Sequence, residues 1–92
     1  SKENSKVEDL FEQLSKDSGK VAYGKEKVES AVEMGAVELI MVTDRKLKKF
    51  RKLLEGAENK GAETMIVSER HEAGEKLNNL GGIAAFLRYR IE

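Results

Sequence analysis

The chain has 92 residues, with 17 basic and 17 acidic side chains, a formal net charge of +0, one histidine and no cysteine, proline or tryptophan. Without cysteine, disulfides, thiolate catalysis and cysteine-ligated zinc are excluded. Without net positive charge, the surface as a whole does not draw a polyanion, although a local basic patch can.

One domain is expected at this length, with roughly 60–65% of the unfolded chain's surface buried on folding. Residues 1–5 are polar and are expected to lie unstructured ahead of a single domain at 6–92. Over residues 6–17, Val7, Leu10, Phe11 and Leu14 fall at spacing i, i+3, i+4, i+7, one stripe of an amphipathic helix. Ser18-Gly19 is the expected stop, with Gly19 free to take a left-handed conformation. Val21-Ala22-Tyr23 reads as a short extended piece, and a second helix fits residues 25–34, with Val28, Ala31 and Val32 turned inward and Gly35 closing it.

Leu39-Ile40-Met41-Val42 is apolar without alternation, which predicts a strand covered on both faces. Thr43 or Asp44 is the expected cap of a helix running to about Asn59, its buried stripe formed by Leu47, Phe50, Leu53, Leu54 and Ala57. Met65-Ile66-Val67 predicts another buried strand, residues 72–79 a helix stopped by Gly81-Gly82, and residues 83–91 a last strand. Alternating helices and strands imply an α/β domain with a parallel or mixed sheet between two helical layers. No apolar run reaches the ~20 residues of a membrane span and no signal-peptide pattern opens the chain, so a soluble, cytoplasmic protein is expected. A first residue of Ser1 rather than Met is expected of either a fragment or a processed chain.

Little here resembles a reaction centre. Gly81-Gly82 lies between a helix and a strand, whereas a phosphate-cradling loop needs glycines after a strand and before a helix. His71 has no second histidine to share a metal or complete a nucleophilic pair, and reads as a surface residue near a helix start. Carboxylates such as Glu26 with Glu29, or Glu8 with Glu12, alternate with lysines on solvated helix faces. No enzyme activity, metal or cofactor is expected. Residues 45–52 are the exception to this plainness. Arg45, Lys46, Lys48, Lys49, Arg51 and Lys52 include no acid between them, and on a continuous helix all but Lys46 oppose Leu47, Phe50 and Leu54. Cations in a first turn oppose the helix dipole by a few tenths of a kcal/mol each. Such a face is either a lysine-rich solvated surface or a contact for phosphate backbone or an acidic partner.

The blocks Tyr23-Gly24, Val28, Glu33-Met34-Gly35-Ala36-Val37, His71-Glu72-Ala73-Gly74-Glu75-Lys76-Leu77 and Leu80-Gly81-Gly82-Ile83-Ala84-Ala85-Phe86-Leu87-Arg88-Tyr89 resemble the C-terminal domain of Pelota in its archaeal form. Pelota is the ribosome-rescue relative of the class-1 translation termination factor. The third domain of that factor is the alternative, but it usually carries an inserted minidomain for which residues 54–64 leave no room. The resemblance covers almost the whole chain and implies a three-layer α/β/α sandwich with a mixed sheet, similar to ribosomal proteins that bind kink-turn RNA. It also implies two further domains ahead of Ser1.

The function implied is non-catalytic. Such a domain docks a translational GTPase of the elongation-factor family and the ABC-type ribosome-recycling ATPase, clearing ribosomes stalled on messenger RNA. GTPase docking in the related factor uses the first helix and the final strand, which carries over to Leu10, Phe11 and Leu14 and to Arg88 and Tyr89. The same three helix residues could instead pack the helix on the sheet. Alternation along a strand would send Arg88 and Tyr89 to opposite faces. Contact with ribosomal RNA through Arg45, Lys48, Lys49, Arg51 and Lys52 is the competing expectation. Kink-turn readers place an Asn and a Glu after the glycine that opens the second helix; Gly24-Lys25-Glu26-Lys27 puts glutamate and lysine there. A carboxylate cannot donate to a base edge as an amide can, which speaks against kink-turn recognition.

Overall fold

In the computed structural model, which describes residues 1–91, the chain runs α1 (Lys2–Ser15), β1 (Val21–Tyr23), α2 (Lys25–Glu33), β2 (Val37–Thr43), a 3-10 turn (Asp44–Lys46), α3 (Arg51–Asn59), β3 (Glu63–Val67), α4 (Glu72–Asn79) and β4 (Ile83–Leu87). The four strands lie in the order β1-β4-β2-β3; β2 and β3 are parallel and the other neighbours antiparallel. The mixed sheet between helices is the architecture expected from the element order. Among the described residues no helix is long and apolar enough to cross a membrane.

The unbroken apolar run of β2 has a direct explanation. Leu39 and Met41 enter a core shared with Val7 and Leu10 of α1 and Ala73 and Leu77 of α4. Ile40 and Val42 enter the opposite core with Val28, Ala31 and Val32 of α2 and Leu54 and Ala57 of α3. Successive side chains point to opposite faces, so a strand covered twice has no polar position to spare. A register shift between Val37 and Leu39 leaves Glu38 exposed, which carries that charge out of the sandwich.

The structure corrects several local expectations. Residues 2–5 are helical, because the Ser1 hydroxyl oxygen accepts from the Asn4 amide at 3.2 Å and Glu3 sits in the first turn. That helix ends two residues early, at Ser15, so Asp17, with φ 52°, takes the position that closes it, and Gly19 is left-handed as expected, with φ 77°, but two residues further on. Asp17 N donates to Leu14 O and Ser18 N to Gln13 O, the paired bonds that close a helix on a left-handed residue. β3 is an edge strand, so Ile66 is exposed rather than buried.

The expected continuous helix over 44–59 is broken. Thr43 is wholly buried and its hydroxyl makes no cap, while the Asp44 carboxylate accepts from the amides of Arg45 and Glu69 at 2.9 and 3.0 Å. The chain therefore leaves the sheet as a 3-10 turn and an irregular turn, and α-helix begins only at Arg51. Leu47, expected in the core, is exposed; Phe50, just ahead of the helix, is buried with Leu54 and Ala57, and Leu53 packs half-buried against them.

α4 approaches the β3–α4 connection backbone to backbone. A Cβ on Gly74 would stand 1.9 Å from the Ser68 carbonyl oxygen and 2.7 Å from the Glu69 nitrogen. Only the missing side chain lets Ala73 and Leu77 reach the sheet. Gly74→Ala is expected to cost about 2 kcal/mol, or roughly 8–16 °C in Tm. Thermal denaturation followed by circular dichroism checks this; melting within about 2 °C of the parent would mean that α4 can shift without loss of packing.

Candidate interaction surfaces

The three α1 residues do not share one environment. Leu10 is 0% exposed and belongs to the core beneath α1 and α4, and Leu14 packs against the same cluster half-buried. Phe11 is 36% exposed, with the Lys76 ammonium 5.9 Å from its ring centroid. A stripe at i, i+3, i+4, i+7 turns its centre to the sheet and its margin outward, so packing explains Leu10 and Leu14 and leaves Phe11 at the surface.

Arg88 and Tyr89 lie beyond the sheet. β4 stops at Leu87, and the next amide, Arg88 N, donates to Ala36 O at 2.7 Å before the chain bends. The expected split of these residues across the two faces fails for that reason. Both are exposed at the same end of the molecule, where α2 and α3 terminate. Arg88 Nη2 donates to Gly61 O at 2.9 Å, and Tyr89 Oη approaches Met34 O at 3.4 Å. Phe11 stands with the α1–α4 layer on the other side of the sheet, so the structure does not bring it together with Arg88 and Tyr89.

Arg45, Lys48, Lys49, Arg51 and Lys52 are all exposed, spread over the turn after β2 and the first turn of α3 instead of along one helix face. Lys49 lies 5.3 Å from the ring centroid of Phe50. Lys46 is turned the other way, its ammonium donating to Asn78 Oδ1 at 2.8 Å. Among the described residues the only ion pair is Lys16–Glu12, so none of these cations is matched by a carboxylate.

His71 is exposed at the cap position of α4 and its side chain makes no cap. It borders an open cleft of about 390 Å³ that also meets Glu3, Glu8, Glu72 and Lys76. Among the described residues no three His, Asp or Glu side chains are grouped to hold a metal ion. At the start of α2, Gly24 caps without a side chain, and Lys25, Glu26 and Lys27 are exposed.

The fold is a two-sided sandwich whose chemistry sits on its rim. The family described as eRF1 domain 3 matches residues 1–91, and the chain belongs to that family. Within it, the similarity is to Pelota. A Pelota homolog of Pyrococcus furiosus is 46% identical over 97 residues, covering 100% of this chain and 27% of its own length. The structure of S. cerevisiae Dom34, a translation termination-like factor involved in RNA quality control pathways and interacting with Hbs1, superposes with a TM-score of 0.89 at 32% identity, covering 98% of this chain and 28% of that one. A ribosome-bound archaeal Pelota described together with ABCE1 gives 0.84 at 43% identity, covering 99% and 27%. The chain thus spans about a quarter of the length of the relatives it matches. The three-residue passage from α3 to β3, Lys60 to Ala62, holds no inserted minidomain.

Leu10→Ala is expected to lose about 2–5 kcal/mol of stability, and Phe11→Ala under about 1 kcal/mol. Urea denaturation of the two variants separates core from surface on α1. Equal losses would place Phe11 in the core as well.

Proposed function

We propose that this domain is a non-catalytic docking module of a Pelota-type ribosome-rescue factor, receiving a translational GTPase of the elongation-factor family and an ABC-type recycling ATPase. The observation that carries the reading is Pelota similarity along the whole chain, including the block that becomes β4 and the bend after it. Relatives that interact with Hbs1, or that sit on the ribosome with ABCE1, support the choice of partners. Phe11 on one side, and Arg88 with Tyr89 at the sheet end, are the exposed members of the expected contact set. Leu10 and Leu14 serve by holding α1 in place, so a test aimed at Leu10 would report folding instead of docking. Titrating an elongation-factor-type GTPase from the same source against the chain, Phe11→Asp or Arg88→Glu is expected to weaken binding by about 1 kcal/mol or more, roughly fivefold. Unchanged affinity for both variants refutes the assignment.

A second reading, contact with ribosomal RNA, is favoured by the five exposed cations at Arg45, Lys48, Lys49, Arg51 and Lys52 that no carboxylate matches among the described residues. Binding of a ribosomal RNA fragment through this turn releases counterions. Affinity should therefore fall steeply between about 50 and about 200 mM salt, and less steeply after Lys48→Glu with Lys52→Glu. A flat salt dependence excludes it.

A further inference from the structure

We infer that the end of the sandwich where α2 and α3 terminate is a docking site for an acidic protein segment that carries an apolar anchor. The inference rests on the docking reading for the use of Arg88 and Tyr89, and adds Met34, Lys60 and the chemistry of what docks.

Three side chains and the backbone carbonyls they reach form one closed circuit there. Lys60 Nζ donates to Glu33 O at 2.8 Å, and Arg88 Nη2 donates to the carbonyl of the next residue, Gly61, at 2.9 Å. Tyr89 follows Arg88 in the chain, and its hydroxyl returns to Met34 O at 3.4 Å, one residue from Glu33. Covalent links and hydrogen bonds therefore join Met34, Lys60, Arg88 and Tyr89 into a single patch. Met34 is 51% exposed and Tyr89 46%, two of the large apolar side chains that the sandwich leaves outside.

The cations are held but not neutralised. A helix end offers carbonyls that lack partners, and Lys or Arg satisfies them favourably. That accounts for one donor of Lys60 and one of Arg88, whereas an ammonium has three and a guanidinium five. No carboxylate of the described residues lies within 4.0 Å of either. Fixing two long side chains on backbone oxygens beforehand lowers the ordering cost that a ligand would otherwise meet. What remains is a guanidinium fork and an ammonium beside an exposed thioether and a phenol ring.

Charge and apolar character together select the occupant. Arg, Tyr and Met are among the residues enriched in protein contacts, and the planar fork of Arg matches a carboxylate bidentately. An extended polyphosphate fits less well, because it has no apolar group to cover the exposed Met34 and Tyr89. A segment with separate carboxylates flanking a leucine or phenylalanine meets both requirements.

The test is an amide-resolved NMR titration of the 92-residue chain with a short blocked peptide in which glutamates flank a central Leu-Phe pair. The expected result is perturbation at Met34, Lys60, Gly61, Arg88 and Tyr89, with affinity weakened at least about fivefold by Lys60→Glu with Arg88→Glu, weakened also by Met34→Ala, and unaltered by Phe11→Asp. The counterpart peptide with lysines for glutamates should leave these amides in place. Perturbation elsewhere, or affinity indifferent to the charge reversals in a variant that keeps the parent's dispersed spectrum, overturns the inference. So does a single-stranded oligoribonucleotide that binds the same amides more tightly than the peptide. The GTPase titration separates the two proposals. If Arg88→Glu weakens the GTPase while the peptide fails to bind, the acidic-segment inference alone falls. If the peptide binds as expected and the GTPase is indifferent to Arg88→Glu, the inference stands and the GTPase contact at Arg88 falls.

Discussion

The antiparallel pairing of β2 with β4 along the middle of the sheet is what the rest of the fold depends on. Ile40, Met41 and Val42 face Ala85, Ala84 and Ile83 across this seam, and all six side chains are buried. Alternation then commits each neighbouring pair of positions to opposite layers, so both faces must be roofed by helices. The alanines of β4 give the helices short side chains to rest on, and Gly74 lets α4 settle against the β3–α4 connection. With the core filled from both sides this way, the charged side chains lie at the ends of the strands and on the outer helix faces.

Where local periodicity and tertiary demand agreed, the sequence was readable. The helix stripes of Val28, Ala31 and Val32, and of Leu54 and Ala57, are buried as their spacing implies. The twofold cover of β2 was visible in its lack of alternation. The misreading after β2 comes from a long-range contact that outranks a local preference. Periodicity carried Leu47 and the cations around it into a helix, but the Asp44 carboxylate is drawn away to the Glu69 amide, 25 residues distant. The turn after β2 is therefore shaped by the β3–α4 connection and not by its own propensity. At the end of α1 the helix-closing position fell to Asp17, with Gly19 left-handed two places on as well.

The candidate surfaces were legible to a similar and limited degree. An amphipathic stripe shows which face is apolar, not which of its members sits at the margin, so Leu10, Leu14 and Phe11 could not be told apart before their burial was known. Arg88 and Tyr89 were found through resemblance, yet assigned to opposite faces, because the end of β4 depends on a bond to Ala36 that lies on another strand's approach. Met34 and Lys60 were assigned to no contact surface. The signal available for them was position. Each directly precedes a left-handed glycine, Gly35 or Gly61, that closes a helix, where carbonyls are left over and side chains lie across the helix end.

Overall neutrality conceals this arrangement. With equal numbers of acids and bases, extensive internal pairing would be the simple expectation, yet among the described residues a single ion pair forms, between Lys16 and Glu12 on one helix. Backbone oxygens hold Lys60 and Arg88 instead, and an amide oxygen holds Lys46. A carbonyl orients a cation and leaves its formal charge in place, whereas a carboxylate would orient it and cancel the charge together. Exposed pairs add little stability in any case, typically below about 1 kcal/mol, so the fold gives up little by leaving its charges unpaired. What it retains is a set of fixed, unneutralised cations at two ends of a rigid sandwich, a distribution suited to steering charged partners at the screening length of about 8 Å found at physiological salt.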